Sequence, residues 1–461
     1  MNPQNLLTLC LAHVAAFAFF VPEISADQPS PTTPIFSRAQ FKYGLGRADY
    51  YGRWVDRPLF ADPTLSDPAS TSPSQFDNAS YRKIQEIVVQ SGLRGLGYFP
   101  NNRAVDNILN FTEKNKIPNF ELLLDMTPAG STEDKVAAAG HALSNPAAFR
   151  INDKVVIVSY LADQKSPEYW AEVLQKIREA HGDHFIFLPS IANLGTSTWI
   201  SRFDQDAITP ELEASAKEEL RKWARATDGL YVTSRPRTVD RTFHEAFYRD
   251  FLIRLMKEVL AEPEFAGKKY LGLTACIGHE NSTRIGYSLS SNATATLRHS
   301  LEAALSARPD VIVMPEWDEQ NENSSVRPTV YNGRTAMRLL RHYTARERGE
   351  LQEPLPGDDT SIPNLILSYR KTLILGEKLK LELLRVPERG VGEKETLKAQ
   401  LALTDESGNV VYTSEEWEIP PGTLWEHSVS LPSEEFAKYR YLLPVLKVSG
   451  AFGERIFSEG V

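Results

Sequence analysis

Short apolar runs alternate with longer amphipathic stretches from about residue 41 to residue 347. The runs are continuous rather than alternating, which is typical of parallel strands covered on both faces. They predict eight strands, at residues 41–46, 93–99, 119–126, 154–160, 184–190, 229–234, 269–277 and 310–314. The stretches between them carry apolar residues at the i, i+3, i+4 spacing of helices that bury one face. The clearest of these lie at residues 80–91, 166–180, 243–260, 294–307 and 336–347.

Eight strand–helix units in succession predict an α/β fold of the (β/α)8 TIM-barrel type over residues 41–350. An open doubly wound sheet is the alternative, but it usually carries a Gly-rich turn after an early strand, and the sequence has none there. Proline lacks the N–H that a central strand donates, and prolines mark several predicted strand ends. They are Pro100, Pro128, Pro189, Pro236 and Pro315. Residues after these prolines are expected at the barrel mouth, where barrel enzymes hold their chemistry.

The pattern changes near residue 350. Residues 351–361 form a polar, Pro-containing linker, and the runs beyond it show period-2 alternation with turn sequences such as DESGN. Alternation of this kind is typical of half-buried strands. We therefore expect a small all-β sandwich domain at residues 362–461.

The N-terminus has a different character from the rest of the chain. Residues 6–21 are almost wholly apolar, and Ser25-Ala26 precedes Asp27. This pattern predicts a signal peptide at residues 1–26, a polar leader at 27–40, and a secreted or periplasmic protein. The first five residues, MNPQN, contain no Lys or Arg, so an uncleaved N-terminal membrane anchor is the alternative.

Composition excludes some functions. The 461 residues are 42% hydrophobic and 24% charged with a formal net charge of -9, and no basic stripe is present. Nucleic acid is therefore not expected as a partner. No HExxH, cysteine pair or DxDxDG loop occurs, so neither a metal nor a cofactor is predicted, although the acids of DEQNE are chemically able to bind Ca²⁺. Oligomeric state is not indicated by the sequence.

The strongest candidate chemistry lies in VIVMPEWDEQNE, residues 311–322. Pro315 ends the eighth predicted strand, and Glu316 and Glu319 follow as the chain turns at the mouth. Three extended residues span at most ~10 Å, so the two carboxyl groups can flank a glycosidic bond. Mutual repulsion and burial would keep one acid protonated and the other ionised, as acid and base require. An ordinary acidic loop after a strand is the alternative.

The sequence around this pair resembles glycoside hydrolase families 71 and 99, which cleave α-linked glycans on (β/α)8 barrels. The resemblance covers about residues 41–345 and is carried mainly by residues 294–329, where a helix, Arg-Pro-Asp, a strand and Glu-Trp-x-Glu follow one another. NPAAFRINDKVVIVSYLAD and LLLDMTP add to it, whereas Pro315 stands where family 99 has Asn. The resemblance implies Glu316 as base and Glu319 as acid, acting on a carbohydrate substrate of mannan or glucan type. It leaves retention or inversion open.

Further residues near the predicted mouth are candidates for substrate binding. Most have a structural alternative: a helix cap for Asp125, loop anchoring for Trp317, rim packing for Tyr51 and Trp54, a solvated loop for His279, and charge compensation for Arg235. They are Trp317, Asp125, Tyr160, His279, Glu280, Tyr51, Trp54 and Arg235. The competing function is a non-catalytic secreted glycan-binding protein on the same fold. A catalytic glutamate that paired with a buried arginine would favour that alternative.

Overall fold

The computed structural model describes residues 32–40, 78–100, 103–191, 208–233, 235–279, 289–319 and 322–458. Residues Thr32–Val461 form one compact unit. The predicted signal peptide lies outside the described residues. Within the described part of the chain, no helix has the length and apolar character needed to cross a membrane.

Nine strands form a curled, mostly parallel sheet. They are β1 (Ile35–Ala39), β2 (Gly95–Tyr98), β3 (Glu121–Met126), β4 (Arg150–Ile151), β5 (Lys154–Ser159), β6 (Phe185–Pro189), β7 (Gly229–Tyr231), β8 (Tyr270–Leu273) and β9 (Val311–Met314). Their order is β6-β5-β3-β2-β1-β9-β8-β7, and only β4 runs antiparallel, beside β5. At the two ends of this order, Ser190 forms a parallel bridge with Tyr231, and the Ile191 N–H donates to the Tyr231 carbonyl at 2.8 Å.

Helices connect most of these strands. They are α1 (Asn78–Gln90), α2 (Arg103–Asn115), α3 (Thr132–Ser144), α4 (Pro167–His181), α5 (Pro210–Ala226), α6 (Arg254–Leu260), α7 (Ala295–Ser306) and α8 (Thr335–Glu347), with a π-helical segment, Phe247–Ile253, leading into α6. Local sequence explains several starts. Ser131 and Asp134 form a capping box before α3, and Ser166 caps α4, whose first residue is Pro167. A mixed α/β fold is therefore present.

The sheet separates two apolar layers. Its outer face packs against the helices, while an inner cluster contains Phe36, Leu123, Val156, Val158, Ile186, Leu188, Tyr231, Val311 and Val313. Successive inward positions on a strand lie two residues apart. The next inward positions toward the carboxyl ends are Arg38, Asp125, Tyr160, Ser190 and Thr233. The inner face of the sheet is therefore apolar along most of the strands and polar at their carboxyl ends.

The position of the first strand differs from the prediction. The first strand that the structure describes lies at Ile35–Ala39, inside the predicted leader, and the predicted strand at residues 41–46 falls outside the described part of the chain. Its residues pair with both β2 and β9. The sequence IFSRA was missed because Ser37 and Arg38 break the apolar run, and the surrounding Pro, Ser and Thr residues are typical of a leader.

The C-terminal β region, residues 365–458, consists of two antiparallel sheets with one shared core. Its strands are β10 (Leu365–Tyr369), β11 (Lys378–Arg385), β12 (Leu397–Thr404), β13 (Val410–Thr413), β14 (Trp417–Ile419), β15 (Trp425–Pro432), β16 (Leu443–Gly450) and β17 (Gly453–Ser458). The three-stranded sheet has the order β10-β11-β15; the other contains β12, β13, β14, β16 and β17. The strand β17 was not predicted because its side chains are largely exposed.

A buried ionic contact joins α7 to the C-terminal β region. Glu382 on β11 is 0% exposed and accepts hydrogen bonds from the backbone N–H and hydroxyl of Thr294. Arg298 lies 3.3 Å from Glu382 and 2.8 Å from Glu426 on β15. We refer to these four residues as the Arg298–Glu382 contact. It fixes the start of α7, the helix that leads directly into β9.

Candidate functional site

Three charged side chains meet at the polar end of the sheet interior. Arg38 is 2% exposed, and its Nε donates to Asp125 Oδ2, while its Nη1 lies 3.4 Å from Glu316 Oε1. Asp125 is 0% exposed and Glu316 is 6% exposed. The residues come from β1, from β3, and from the chain just after β9. One guanidinium therefore faces two buried carboxylates.

Strand register explains how these residues meet. Ser37 is opposite Met314, so Arg38 and Glu316 both lie just beyond paired positions of neighbouring strands. Arg38 is opposite Gly97 on β2, and Gly97 is opposite Leu123 on β3. Because Gly97 has no side chain on the inner face, Arg38 can extend across β2 to Asp125.

The loop after β9 is hydrogen-bonded to the end of β1 and to the residue that follows it. The Trp317 N–H donates to the Arg38 carbonyl, and Asp318 Oδ1 accepts from the Gln40 N–H at 2.9 Å. The Val326 N–H returns to the Glu316 carbonyl at 2.9 Å. These bonds hold the backbone that carries Glu316 and Glu319.

The two glutamates have different electrostatic surroundings. Burial raises the pKa of Glu316 above its ordinary value, the nearby Arg38 opposes this rise, and Asp318 adds to it. Burial also raises the pKa of Glu319, and the negative charges of Glu316, Glu322 and Asp318 raise it further. Because Glu316 contacts Arg38 whereas Glu319 lies among acids, Glu316 should lose its proton at a lower pH than Glu319.

The remaining predicted residues have varied positions. Tyr160 lies at the mouth, with its ring centre 4.5 Å from the Arg38 guanidinium carbon. Arg235 is close enough to lower the pKa of Glu316 and Glu319 through its positive charge, although burial raises both more strongly. Trp317 is 2% exposed and belongs to the outer apolar core, so the structure favours loop anchoring over a substrate contact. The predicted residues Tyr51, Trp54 and Glu280 lie outside the described part of the chain.

His279 follows β8 and lies beside the acidic loop. Its Nδ1 is 3.1 Å from Glu322 Oε2, and its backbone pairs with Leu289 in both directions. Glu322 in turn raises the pKa of Glu319 less than burial and Glu316 do. The structure thus brings His279 toward the candidate pair through Glu322.

Arg38 was missed by the sequence analysis. It lies in the segment predicted as leader, where an arginine indicates solvent exposure. The available signal was its spacing: Arg38 follows the apolar Phe36 by two residues, as an inward position near a strand end would. Its contact with Glu316 is also the observation that favours the non-catalytic alternative, since a buried arginine can hold a carboxylate for structural reasons alone.

The residues that the structure describes contain no group of three or more His, Cys, Asp or Glu side chains arranged for a metal ion. Cys276 is buried, and burial raises the pKa of its thiol to about 11. A thiolate nucleophile is therefore not favoured at this position.

No protein-family model matches the chain, and neither does any curated protein. Solved structures similar to it include the family GH99 endo-α-mannosidase from Bacteroides thetaiotaomicron, with 11% identity and a TM-score of 0.49 over 69% of this chain and 97% of that chain. A glycoside hydrolase-like protein has 11% identity and a TM-score of 0.47 over 69% and 95% of the two chains. The β-glucuronidase of Bacteroides uniformis has 9% identity and a TM-score of 0.41 over 94% of this chain and 46% of that chain. Each of these TM-scores is below 0.5, and the function proposed below rests on the site itself.

Glu319→Gln should change how stability depends on pH. Consider a carboxyl group whose pKa is higher in the folded state than in the unfolded state. Its contribution to stability is fully present at pH values below the unfolded-state pKa and is lost as the pH rises through the folded-state pKa. The variant cannot ionise, so we expect it to be more stable than wild type at pH 8 and to differ less at pH 5. Urea unfolding at both pH values measures this.

Glu213→Gln is the matched control, because the pKa of Glu213 is shifted in the opposite direction. The Arg254 hydrogen bond lowers the pKa of Glu213 to about 2, so its contribution is present above the unfolded value and lost at acid pH. The wild type should therefore exceed this variant in stability at pH 8. Equal pH slopes for Glu319→Gln and wild type would contradict the assignment of Glu319 as an acid with a raised pKa.

Proposed function

We propose that the chain is an exported glycoside hydrolase that cleaves an α-linked glycan of mannan or glucan type, with Glu316 as base and Glu319 as acid. The observation that carries the proposal is the unequal environment of two carboxyl groups three residues apart at the end of β9. Arg38 favours the ionised form of Glu316, and neighbouring acids favour the protonated form of Glu319. Acid–base catalysis of glycoside cleavage needs one group in each state.

The proposed scaffold is a closed (β/α)8 barrel. The bridge between Ser190 and Tyr231 and the hydrogen bond from Ile191 support closure between β6 and β7. The Asp228 N–H adds a third contact, donating to the Phe187 carbonyl at 3.2 Å. Closure would place the ends of β1, β3 and β9 around one mouth, as in other barrel enzymes.

In the proposed reaction, Glu319 donates its proton to the glycosidic oxygen as the bond to the anomeric carbon breaks. Glu316 accepts a proton from the attacking oxygen, which belongs either to water or to the substrate's own 2-hydroxyl group. If water attacks, exchange with solvent then returns a proton to Glu319 and removes one from Glu316. If the 2-hydroxyl attacks, water next opens the anhydro-sugar at the anomeric carbon, giving its proton to Glu319 while Glu316 returns its proton to the 2-oxygen. Tyr160 lines the same polar layer and is proposed to contact sugar hydroxyl groups, whereas Asp125 is 0% exposed and bonded to Arg38.

A non-catalytic glycan-binding protein is the second candidate. The Arg38–Glu316 contact favours it, because an ion pair this buried also satisfies a structural need of the sheet interior. Export is proposed for either function from the apolar stretch at residues 6–21, with an N-terminal membrane anchor as the alternative.

The test is a screen of α-mannans and α-glucans, with β-linked glucans as controls, using wild type, Glu316→Gln and Glu319→Gln. Release of reducing ends measures turnover, and calorimetry measures binding. We expect turnover of an α-linked glycan by wild type only, with binding kept by both variants. Binding without turnover in all three proteins would support the glycan-binding alternative. If no binding and no turnover were observed with any of these glycans, both candidates would be contradicted.

A further inference from the structure

Arg38 is buried at a position where its charged side chain loses its hydration, which is energetically unfavourable. Its side chain is 2% exposed within a short strand that is bonded on both sides. Burying a guanidinium is unfavourable unless carboxylates and hydrogen bonds compensate for the lost water. Asp125 alone would balance the charge, yet Glu316 also faces it. The site therefore carries more negative charge than an ordinary buried pair.

The position of the guanidinium is set from several sides. Asp125 holds its Nε, and the rings of Tyr160 and Phe99 lie over it, with centres 4.5 Å and 5.5 Å from its central carbon. Gly97 on β2 lies beside Arg38, and a Cβ there would be in van der Waals contact with it, 3.4 Å from Arg38 Cα and 3.9 Å from Arg38 Cβ. These contacts aim Nη1 at Glu316.

Polar atoms of all three side chains are left without a hydrogen-bond partner among the described residues. They are Arg38 Nη2, Asp125 Oδ1 and Glu316 Oε2. Buried polar atoms without partners are uncommon in native proteins and are concentrated where a ligand or a reaction uses them.

We propose that Arg38, held by Asp125, is a positioning residue that fixes the orientation and negative charge of Glu316 for the reaction. This inference rests on the proposed function. Asp125 acts through Arg38. It holds the guanidinium in place, and its own negative charge weakens the effect of the positive charge of Arg38 on Glu316. The two residues therefore act on Glu316 in opposite electrostatic senses.

Several other charged or titratable groups face Glu316 or interact with it. They are Asp318 and Glu319 on its own loop, Arg235 after β7, Tyr160 after β5 and Tyr231 on β7. None of them changes in the variants below, so differences between those variants report on Arg38 and Asp125.

The test is the acid limb of the pH profile of kcat/KM, which follows ionisation of the base. Arg38→Met removes a nearby positive charge and should move this limb upward by about one to three pH units. Asp125→Asn removes a negative charge and should move it downward. Arg38→Lys keeps the charge without the planar fork, so we expect kcat to fall while the limb stays near its wild-type position.

Arg298→Met is the matched control, because Arg298 is a buried arginine between two carboxylates outside the site. It should lower stability and leave the acid limb in place. An acid limb that is unchanged in both Arg38→Met and Asp125→Asn, or that moves in the same direction in both, would overturn the inference.

A second measurement covers the case in which Arg38→Met folds poorly. The stabilities of wild type, Arg38→Met, Glu316→Gln and the double variant form a cycle, and the double variant removes the buried unpaired charge of Glu316. We expect a coupling between Arg38 and Glu316 that weakens as pH falls and Glu316 becomes protonated. Absence of coupling would overturn the inference. Coupling in a wild type that cleaves no glycan would instead show that the proposed function has failed.

Discussion

Glu319→Gln should lower kcat/KM for an unactivated α-linked glycan by about 10²–10⁴-fold, the usual contribution of a general acid. The same variant should lose far less activity on a glycosyl fluoride of the matching sugar. Fluoride leaves without a proton, so the missing acid matters little, whereas a sugar hydroxyl group leaves poorly as an alkoxide. Kinetics on the two substrates with one enzyme preparation measure the difference.

Glu316→Gln should behave differently, because its role is independent of the leaving group. We expect a large loss of kcat/KM on both the glycan and the fluoride. The same substitution at Glu353, whose side chain is 68% exposed, controls for the change of Glu to Gln itself. If the two site variants lost activity equally on both substrates, the assignment of acid and base would be wrong.

Arg298→Met should reduce the free energy of unfolding by about 3–5 kcal/mol, the usual cost of removing one partner of a buried ion pair. It leaves Glu382 charged and 0% exposed, with only the two hydrogen bonds from Thr294. Equilibrium unfolding in urea measures the loss. The double variant Arg298→Met/Glu382→Leu should recover most of it, because apolar residues of similar volume often replace a buried pair without loss.

Arg225→Met is the control for this prediction. Arg225 and Glu264 form a pair on the surface, with side chains 48% and 52% exposed. Pairs of this kind contribute about 0–1 kcal/mol. If Arg298→Met were no more destabilising than Arg225→Met, the Arg298–Glu382 contact would not be important for joining α7 to the C-terminal β region.

The apolar periodicity was sufficient to predict most strands to within a few residues. The fourth run, residues 154–160, corresponds to β5 at Lys154–Ser159, because both faces of that strand are buried from Val155 to Ser159. It failed at β1, where the inward position near the mouth is Arg38. Polar interior positions are expected at the ends of strands that carry a site, and hydrophobicity is least informative there.

The candidate site shows the same division. Glu316 and Glu319 were found because a strand stop and an acid pair lie together in the sequence. Their link to Arg38 depends on a partner 278 positions away, brought near only by the pairing of β1 with β9. No local pattern reports such a pairing.

The Arg298–Glu382 contact also bears on how this chain can evolve. If a β region were attached only by a linker, recombination could replace it with another domain without disturbing the rest of the chain. Here the buried guanidinium of Arg298 on α7 requires the carboxylate of Glu382 in the β region. A replacement domain would therefore have to supply a carboxylate at the same place. The helix leading to the two glutamates and the C-terminal sheets should therefore be inherited together, with substitutions on either side constrained by the other.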